Sequence, residues 1–366
     1  MTTPPQRPSF AERLGRARKM RELSFDDLSR KTEGISKSQL SKLEKGDLQP
    51  DSTILLTLCG ALQLPPDYFF AHESIQLLGV EFRKRVKCPQ KTIDRIQEES
   101  QHFFERYLEA EQILGILRPG LFQIDLREHS NDALDAAAEA AALTIRNAWQ
   151  IGLGPVANIH ETMEENGVMV KEVECDESFD GFAGRANGFP VIVIGKWLNK
   201  NELLPRKRFT LAHELGHLVL RLPTHLDKKR VETLCHRFAG AFIIPAQALD
   251  QLVSSGRHAF PPVSIFKDLK AEWGMSVHAI AHRLANLGIM TKSHLDSFNF
   301  LYRGKWQYHK KGDPGTWIGS EVSNRFRKLV WRAAAEELVT RSKAAQWLDM
   351  SVDEFNKSFE VIESCT

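Results

Sequence analysis

Apolar residues in the N-terminal part of the chain recur at helical spacing, in short runs separated by polar turns. An amphipathic segment from about Phe10 to Arg21 precedes the runs FDDLSRKT, KSQLSKLEK and STILLTLCGALQL and a closing PPDYFF. Ser24 and Ser36 stand where N-caps belong, and Gly46 stands where a left-handed C-cap belongs. The pattern predicts five short helices within residues 8–71.

The following stretch, residues 72–134, carries a weaker pattern. A strand-like or loop segment at 79–87 precedes a long amphipathic helix, whose apolar residues at helical spacing are Ile93, Ile96, Phe103, Tyr107 and Leu108. We expect a helical connector, and a dimer surface and a ligand pocket are left open as alternatives.

Residues 135–250 mix helical and strand patterns. DALDAAAEAAALTIRNAWQIG predicts a helix, PVANIHETMEENGVMVKEVE predicts a helix and then a strand, and FPVIVIG at 189–195 predicts a buried strand. Two further helices are predicted, one from about Pro205 to Arg221 and one in KRVETLCHRFAGAFIIP. The predicted fold class is therefore mainly α with a small β-sheet (α+β).

Residues 251–366 predict a C-terminal helical region with a break rich in Gly, Pro and aromatic residues at 298–317. Near its end, SKAAQWLDMSVDEF predicts a helix, a turn at Asp349 and Met350, and a second helix capped by Ser351. We expect this element to serve packing or dimerisation, and binding of a second polyanion is the weaker alternative.

Composition indicates an ordinary soluble protein. The 366 residues allow two or three domains, and the chain is 42% hydrophobic and 26% charged. Its apolar runs are shorter than the roughly 20 residues of a membrane span, and the N-terminus lacks the apolar core of a secretory signal. The five cysteines are scattered without a CxxC pair. We therefore expect reduced thiols in a cytoplasmic protein without a membrane partner.

The net charge of +2 averages over the domains and indicates little by itself. Residues 1–50, however, hold eleven Lys or Arg against seven Asp or Glu. This local surplus is a modest indication of a polyanionic partner.

The second and third predicted helices, joined by a tight turn, form a helix-turn-helix arrangement. With the run ISKSQLSKLEKGDLQPDSTILLTLCGALQL, the block resembles the Cro/repressor-like (XRE) DNA-binding family over its whole length. The resemblance implies a double-stranded DNA operator as partner and a base-reading face made of Lys37, Ser38, Gln39 and Lys42. Gln can bond adenine through two atoms and Lys can reach guanine, so the chemistry fits. The alternative is a merely solvated helix face.

One position departs from that family. Phe25 stands where the second helix usually carries a Gln that contacts phosphate. We therefore expect Arg16, Arg18 or Lys19 to anchor the phosphate backbone instead.

The stretch RFTLAHELGHLVL at 208–220 carries candidate metal chemistry. His213 and His217 are four residues apart, so both imidazoles point from one face of a helix and can supply two zinc ligands. Glu214 can flank the metal and take a proton from water, which is the chemistry of H-E-x-x-H. The alternative is a buried histidine pair with an incidental glutamate.

A catalytic zinc needs a third protein ligand and an open position. KRVETLCHRFAGAFIIP provides Glu232, with His236 one turn further along the same face. Together with FDGFAGRANGFPVIVIG, these runs resemble the ImmA/IrrE family of metallo-endopeptidases over about residues 135–250. The resemblance implies a zincin-like fold, zinc held by His213, His217 and Glu232, and Glu214 as the general base.

His236 stands where that family usually has a polar residue, most often Asn. Three roles for it are left open: orienting a ligand, entering the metal sphere, or donating a proton. Cys235, its neighbour, is expected to be a small buried side chain in helix packing.

A second histidine pair, His278 and His282, also has a spacing of four residues. It has no acidic residue between its members, and the surrounding Ala and Ile predict ordinary packing with the histidines on the outer side.

The sequence favours a DNA-binding transcriptional regulator with a zinc-dependent endopeptidase domain. By the resemblance, its substrate is a repressor, often of the XRE type, and cleavage releases genes for stress response or mobile-element transfer. The alternative is a transcription factor whose peptidase-like domain senses a ligand or metal without proteolysis. A third reading is a prophage or toxin–antitoxin regulator, and a homodimer is left open.

Overall fold

The computed structural model describes residues 9–70, 75–78, 88–249, 261–302 and 312–363. The strand-like segment expected at 79–87 lies outside the described residues, as does Cys365. None of the helices within these described ranges is both long and apolar enough to cross a membrane.

The N-terminal unit contains the five helices that its sequence predicts: α1 Phe10–Met20, α2 Phe25–Lys31, α3 Lys37–Lys45, α4 Ser52–Leu62 and α5 Pro66–Phe70. Ser24 and Ser36 form capping boxes at the starts of α2 and α3. Gly46 ends α3 with a φ of 79°, a left-handed conformation that glycine adopts without a Cβ penalty. Inward-facing side chains of these helices form a separate core that includes Leu14, Leu40, Leu43, Leu58 and Phe69.

The long helix α6, Gln90–Ile113, connects this unit with the rest of the chain. One side of α6 contacts α1 through ion pairs, and the ring of His102 lies edge-on to that of Tyr68 at 5.0 Å. Its apolar side packs with side chains of the sheet in a second core that contains Phe104 and Tyr107. The helix-turn-helix unit therefore lies directly on the helix that covers one face of the sheet.

The main sheet has the strand order β1-β4-β5-β3. These strands are β1 Leu77–Leu78, β3 Met169–Val173, β4 Gly181–Ala186 and β5 Phe189–Gly195. Strand β5 pairs parallel with β3 and antiparallel with β4, and β4 pairs antiparallel with β1. The predicted strand at 189–195 is confirmed. Strand β4 was not predicted, because its sequence GFAGRA has two glycines and no apolar alternation.

The other face of the sheet carries the largest core. It is built by α7 Leu134–Ala148, α8 Ile159–Glu165, α9 Leu204–Val219 and α10 Lys228–Ile243. Three later helices pack into the same core: α11 Val263–Trp273, α12 Val277–Asn286 and α13 Lys292–Tyr302. The core therefore continues past residue 250, where the sequence led us to expect the end of the domain. Two very short strands, β2 Ile124–Asp125 and β6 Leu220–Arg221, pair parallel beside it.

The C-terminal helices are α14 Arg325–Ala335, α15 Arg341–Trp347 and α16 Val352–Glu363. They pack on α6 through a small core that includes Ala110, Val330 and Trp347. Asp349 has a φ of 54° at the expected turn between α15 and α16, and its carboxylate accepts hydrogen bonds from Arg106 on α6. These contacts show that the C-terminal helices pack on α6, which is one of the two roles expected for this region.

The segment before α14 is held against α8 and α9 by the buried carboxylate of Glu321. Glu321 accepts hydrogen bonds from the backbone N–H groups of Ile159 and His160 at the start of α8, where negative charge is favourable. Its other partner is the buried guanidinium of Arg208 on α9. This segment thereby helps to hold α9, the helix of the candidate site.

Candidate metal centre and nucleic-acid interface

Helix α9 is buried on nearly every side, between strands β4 and β5 and helix α10. Such a rigid setting suits functional side chains, because packing restricts their rotamers. Gly216 lets α10 approach closely: a Cβ there would lie 3.2 Å from Cδ1 of Phe238 and 3.3 Å from Cα of Cys235. The spacing between the two helices therefore depends on a glycine within the motif itself.

Three of the expected ligands converge between α9 and α10. The Nε2 atoms of His213 and His217 are 3.1 Å apart. The carboxylate of Glu232 lies 3.4 Å from Nε2 of His213 and 3.5 Å from Nε2 of His217. Two ligands about 2.0–2.1 Å from a tetrahedral zinc are separated by about 3.3 Å, so the donor set and its spacing fit this ion. Sequence reasoning placed all three together, and the structure brings them together.

The electrostatics of the three groups agree with a shared cation. Hydrogen bonds from His213 and His217 hold the pKa of the Glu232 carboxyl well below its usual range. Burial lowers the pKa of His217, but hydrogen bonds with Cys235 and Glu232 outweigh it and raise the pKa to about 11. The carboxylate thus stabilises positive charge between the helices, either as protons or as a metal ion that replaces them.

Glu214 is 1% exposed and follows the first histidine on α9. Its charge is one of those that raise the pKa of His217, so the carboxylate interacts electrostatically with this candidate ligand. A buried carboxylate beside a metal site is the placement that a general base requires.

His236 is at the same centre, one turn after Glu232 on α10. Donor atoms of His213, Glu232 and His236 all lie within 4.8 Å of one another. The ring of His236 is tilted against that of His213 with centroids 4.4 Å apart, and it stacks on Phe209 at 5.8 Å. The expectation that His236 belongs to this site is therefore met in position, and its role stays a prediction.

Cys235 is buried, as its sequence context indicates, but it is more than packing. Its thiol forms a hydrogen bond with His217 and faces the cleft beside the centre. Sequence reasoning missed this contact, because a single cysteine next to a ligand has no pattern of its own.

A cleft of about 530 Å³ opens beside the centre, and His217 and Cys235 form part of its wall. Strand β4 lines it with Ala183, Gly184 and Arg185, and the segment after β6 closes the opposite side. Strand β4 pairs with β5 along its whole length and with β1 at Arg185 and Ala186, so only its part before Arg185 lies beyond the pairing with β1.

The competing histidine pair lies elsewhere. His278 and His282 are on α12 with ring centroids 4.7 Å apart, and His282 is exposed. Among the described residues, His213, Glu232 and His236 form a group of three metal-binding side chains, and His278 and His282 belong to no such group. The expectation of ordinary packing around it agrees with the burial of Ile280, Ala281 and Leu284.

The expected base-reading side chains are all exposed on α3: Lys37, Ser38, Gln39 and Lys42. Two of them already have intramolecular contacts. Lys37 forms an exposed ion pair with Asp26, and Oε1 of Gln39 accepts hydrogen bonds from N and Oγ of Ser36 in the capping box. A two-atom contact of Gln39 with adenine would require this capping contact to open. Lys42 needs no such change.

The side chains expected to contact the DNA phosphates, unlike those on α3, are mostly held in ion pairs within the chain. Arg16 binds Glu98 and Glu105 on α6, and Arg18 binds both carboxylate oxygens of Glu44. Phe25, the residue that departs from the family, supports Arg18 by stacking on its guanidinium at 4.3 Å. The expectation is therefore not supported for Arg16 and Arg18, since their charges are satisfied within the chain. Lys19 is half-exposed and stays a candidate.

Comparison with known families gives two separate matches. The helix-turn-helix family profile matches residues 14–69, and the IrrE N-terminal-like domain, a peptidase family, matches residues 176–285. No curated protein matches the chain. The chain therefore carries an XRE-type helix-turn-helix domain and an IrrE-like domain of a peptidase family, the two families that its motifs indicate. The second match includes α9 and α10 and extends through α11 and most of α12, which share their core.

Proposed function

We propose that this protein is a DNA-binding transcriptional regulator whose second domain is a zinc-dependent endopeptidase acting on a regulatory protein. One observation carries the proposal: three donors from two buried helices meet at 3.1–3.5 Å beside Glu214 and at the edge of a cleft. Two imidazoles and one carboxylate are the protein ligands of a catalytic type of zinc site, in which water or substrate takes the fourth position during the reaction.

The roles of the side chains follow from their positions. His213, His217 and Glu232 hold the ion, which when bound supplies Lewis acidity that polarises a peptide carbonyl. The buried carboxylate of Glu214 takes a proton from the attacking water and delivers it to the leaving nitrogen. The thiol of Cys235 orients His217 through their hydrogen bond.

The cleft supports a peptide substrate rather than a small molecule. Its wall includes Ala183 and Gly184 of β4, which lie beyond the two residues of that strand that pair with β1, and the segment after β6 adds apolar contacts from Leu222 and Leu226. A repressor of the XRE type is the substrate we propose, and the reaction takes place in the cytoplasm, where operator DNA is found. A homodimer on a two-fold symmetric operator stays a prediction.

The test compares Glu214→Gln with the wild-type chain. The zinc-loaded proteins are incubated with a purified repressor of the XRE type, and cleavage is followed by mass spectrometry. We expect Glu214→Gln to keep its zinc and lose cleavage, since the amide has nearly the same shape but no basic oxygen. Glu202→Gln, an exposed change just before α9, is the matched control and should cleave normally. Equal cleavage by Glu214→Gln and wild type would refute the role of the base.

A second candidate function is a transcription factor that senses metal without proteolysis. It is favoured by the direct contact between the helix-turn-helix unit and α6, whose other side packs on the sheet that lines the cleft. If this function is correct, zinc changes operator affinity equally in the wild type and in Glu214→Gln. If proteolysis is the function, operator affinity without substrate is independent of zinc.

A further inference from the structure

The two helices of the metal centre each present a pair of donors four residues apart. Helix α9 presents His213 and His217, and helix α10 presents Glu232 and His236. Side chains four residues apart lie on one face of a helix, so each helix directs two donors toward the other. The two helices thus provide four candidate donors, of which the catalytic scheme above uses three. His236 approaches His213 and Glu232 to within 4.8 Å, in a group that does not include His217.

His236 is within reach of the position that the other three leave available. Its donor atom lies no more than 4.8 Å from those of His213 and Glu232, against about 3.3 Å for two ligands on one tetrahedral zinc. The difference is small enough for a rotation of the His236 side chain, and packing on Phe209 keeps the ring near the centre.

The orientation of the ring also favours a ligand over a supporting residue. A residue that supports a metal ligand bonds to the ligand's second ring nitrogen, on the side away from the ion. The rings of His236 and His213 instead lie side by side, with centroids 4.4 Å apart and planes inclined by 38°. This contact places a donor atom of each residue within 4.8 Å of the other, so a small movement lets both reach one ion.

We propose that His236 is a fourth protein ligand, so that the zinc centre of the resting protein is closed. This inference rests on the proposed function only in requiring that the centre binds zinc. A closed site has no place for water, so hydrolysis requires His236 to move aside. Binding of a peptide in the adjoining cleft, or a change in the packing of Phe209, would then control the activity of the domain.

The test is the number of imidazole ligands around the ion. Protein stripped of metal is reloaded with one equivalent of zinc, and zinc X-ray absorption spectra are recorded for the wild type, His236→Asn and His282→Asn. We expect three imidazoles in the wild type, two in His236→Asn and three in His282→Asn, the matched control on α12. Two imidazoles in the wild type would overturn the role of His236 while leaving the proposed function intact. A wild-type chain that takes up no zinc would overturn both.

Zinc affinity provides a second measurement on the same variants. Loss of a residue that only supports a ligand weakens metal binding by roughly 10–100-fold. We expect His236→Asn to weaken zinc binding more than about 100-fold in competition with a chelator, and His282→Asn to leave it unchanged. A smaller loss in His236→Asn, with the apo variant still folded by circular dichroism, would overturn the proposal.

Discussion

The guanidinium of Arg13, completely buried in α1, donates a hydrogen bond of 2.7 Å to the carboxylate of Glu105 on α6. Arg16 donates to the same carboxylate at 2.9 Å and to Glu98 at 3.0 Å. The DNA-binding unit is thus joined to the rest of the chain by ion pairs that are mostly shielded from water. Removing one partner of such a pair strongly destabilises a protein, because the other charge is left buried without compensation.

Replacing Arg13 with Ala should therefore loosen the contact between α1 and α6. We expect a loss of about 3 kcal/mol in the free energy of unfolding, at the low end for a broken buried pair because Arg16 still contacts Glu105. Urea denaturation gives the value, and hydrogen exchange shows whether α6 loses protection. Arg30→Ala removes an exposed ion pair with Asp27 and should cost less than about 1 kcal/mol. Equal losses in the two variants would contradict this view of the interface.

The same interface predicts a loss of stability in acid. Burial raises the pKa of Glu105, but His102, Arg16 and Arg13 outweigh it and hold the pKa at about 2, below the ordinary 4.5. Burial lowers the pKa of His102 from 6.5 to about 4, against the opposing effect of Glu105. Both folded-state values are depressed, so the unfolded chain binds more protons in acid. Stability should fall between about pH 6.5 and 4 through His102 and between about pH 4.5 and 2 through Glu105.

Urea denaturation at pH 7, 5.5 and 4 checks this dependence. The variant His102→Gln should lose less stability than the wild type between pH 7 and 5.5, because its side chain does not titrate. The same slope in both proteins would show that His102 is not the group responsible.

Gly216→Ala tests the close approach of α9 and α10. The added Cβ would lie 3.2–3.4 Å from Phe238 and Cys235, so the helices must separate slightly. We expect a loss of about 1–3 kcal/mol in stability and weaker zinc binding, because Glu232 moves away from the histidines. Gly60→Ala in α4 is the control, as a Cβ there meets nothing within 4 Å. Differential scanning calorimetry and chelator competition measure the two effects, and unchanged zinc affinity in Gly216→Ala would be the contrary result.

The DNA face is tested with changes that spare the helix cap. Lys42→Ala should weaken operator binding by about 1–3 kcal/mol, whereas Lys200→Ala, exposed before α9, should not. Gln39→Glu keeps an acceptor oxygen that can complete the capping box but removes the amide donor. If Gln39 reads a base, this variant loses sequence-specific binding while α3 stays intact by circular dichroism. Retention of specific binding would exclude Gln39 from base contact.

Much of the secondary structure could be predicted from the sequence, because the residues that determine it are close together in the chain. The caps Ser24, Ser36 and Gly46 bond backbone groups only a few residues away, so the short helices of the DNA-binding unit could be predicted closely. The pair His213 and His217 is fixed by helical spacing alone. Strand β4 could not be predicted, because its pairing with β5 and not its own propensity makes it a strand.

The sequence by itself determined the two kinds of domain, the positions of most helices and the candidate donors of the metal centre. Only the tertiary structure decided which basic side chains are available to contact DNA. Arg16 forms ion pairs with Glu98 and Glu105, and Arg18 forms one with Glu44. The tertiary structure also decided how close His236 lies to His213 and that Cys235 lines the cleft, because the packing of α10 on α9 sets these positions. Contacts between residues far apart in the chain depend on how helices pack, and spacing within one helix cannot specify that packing.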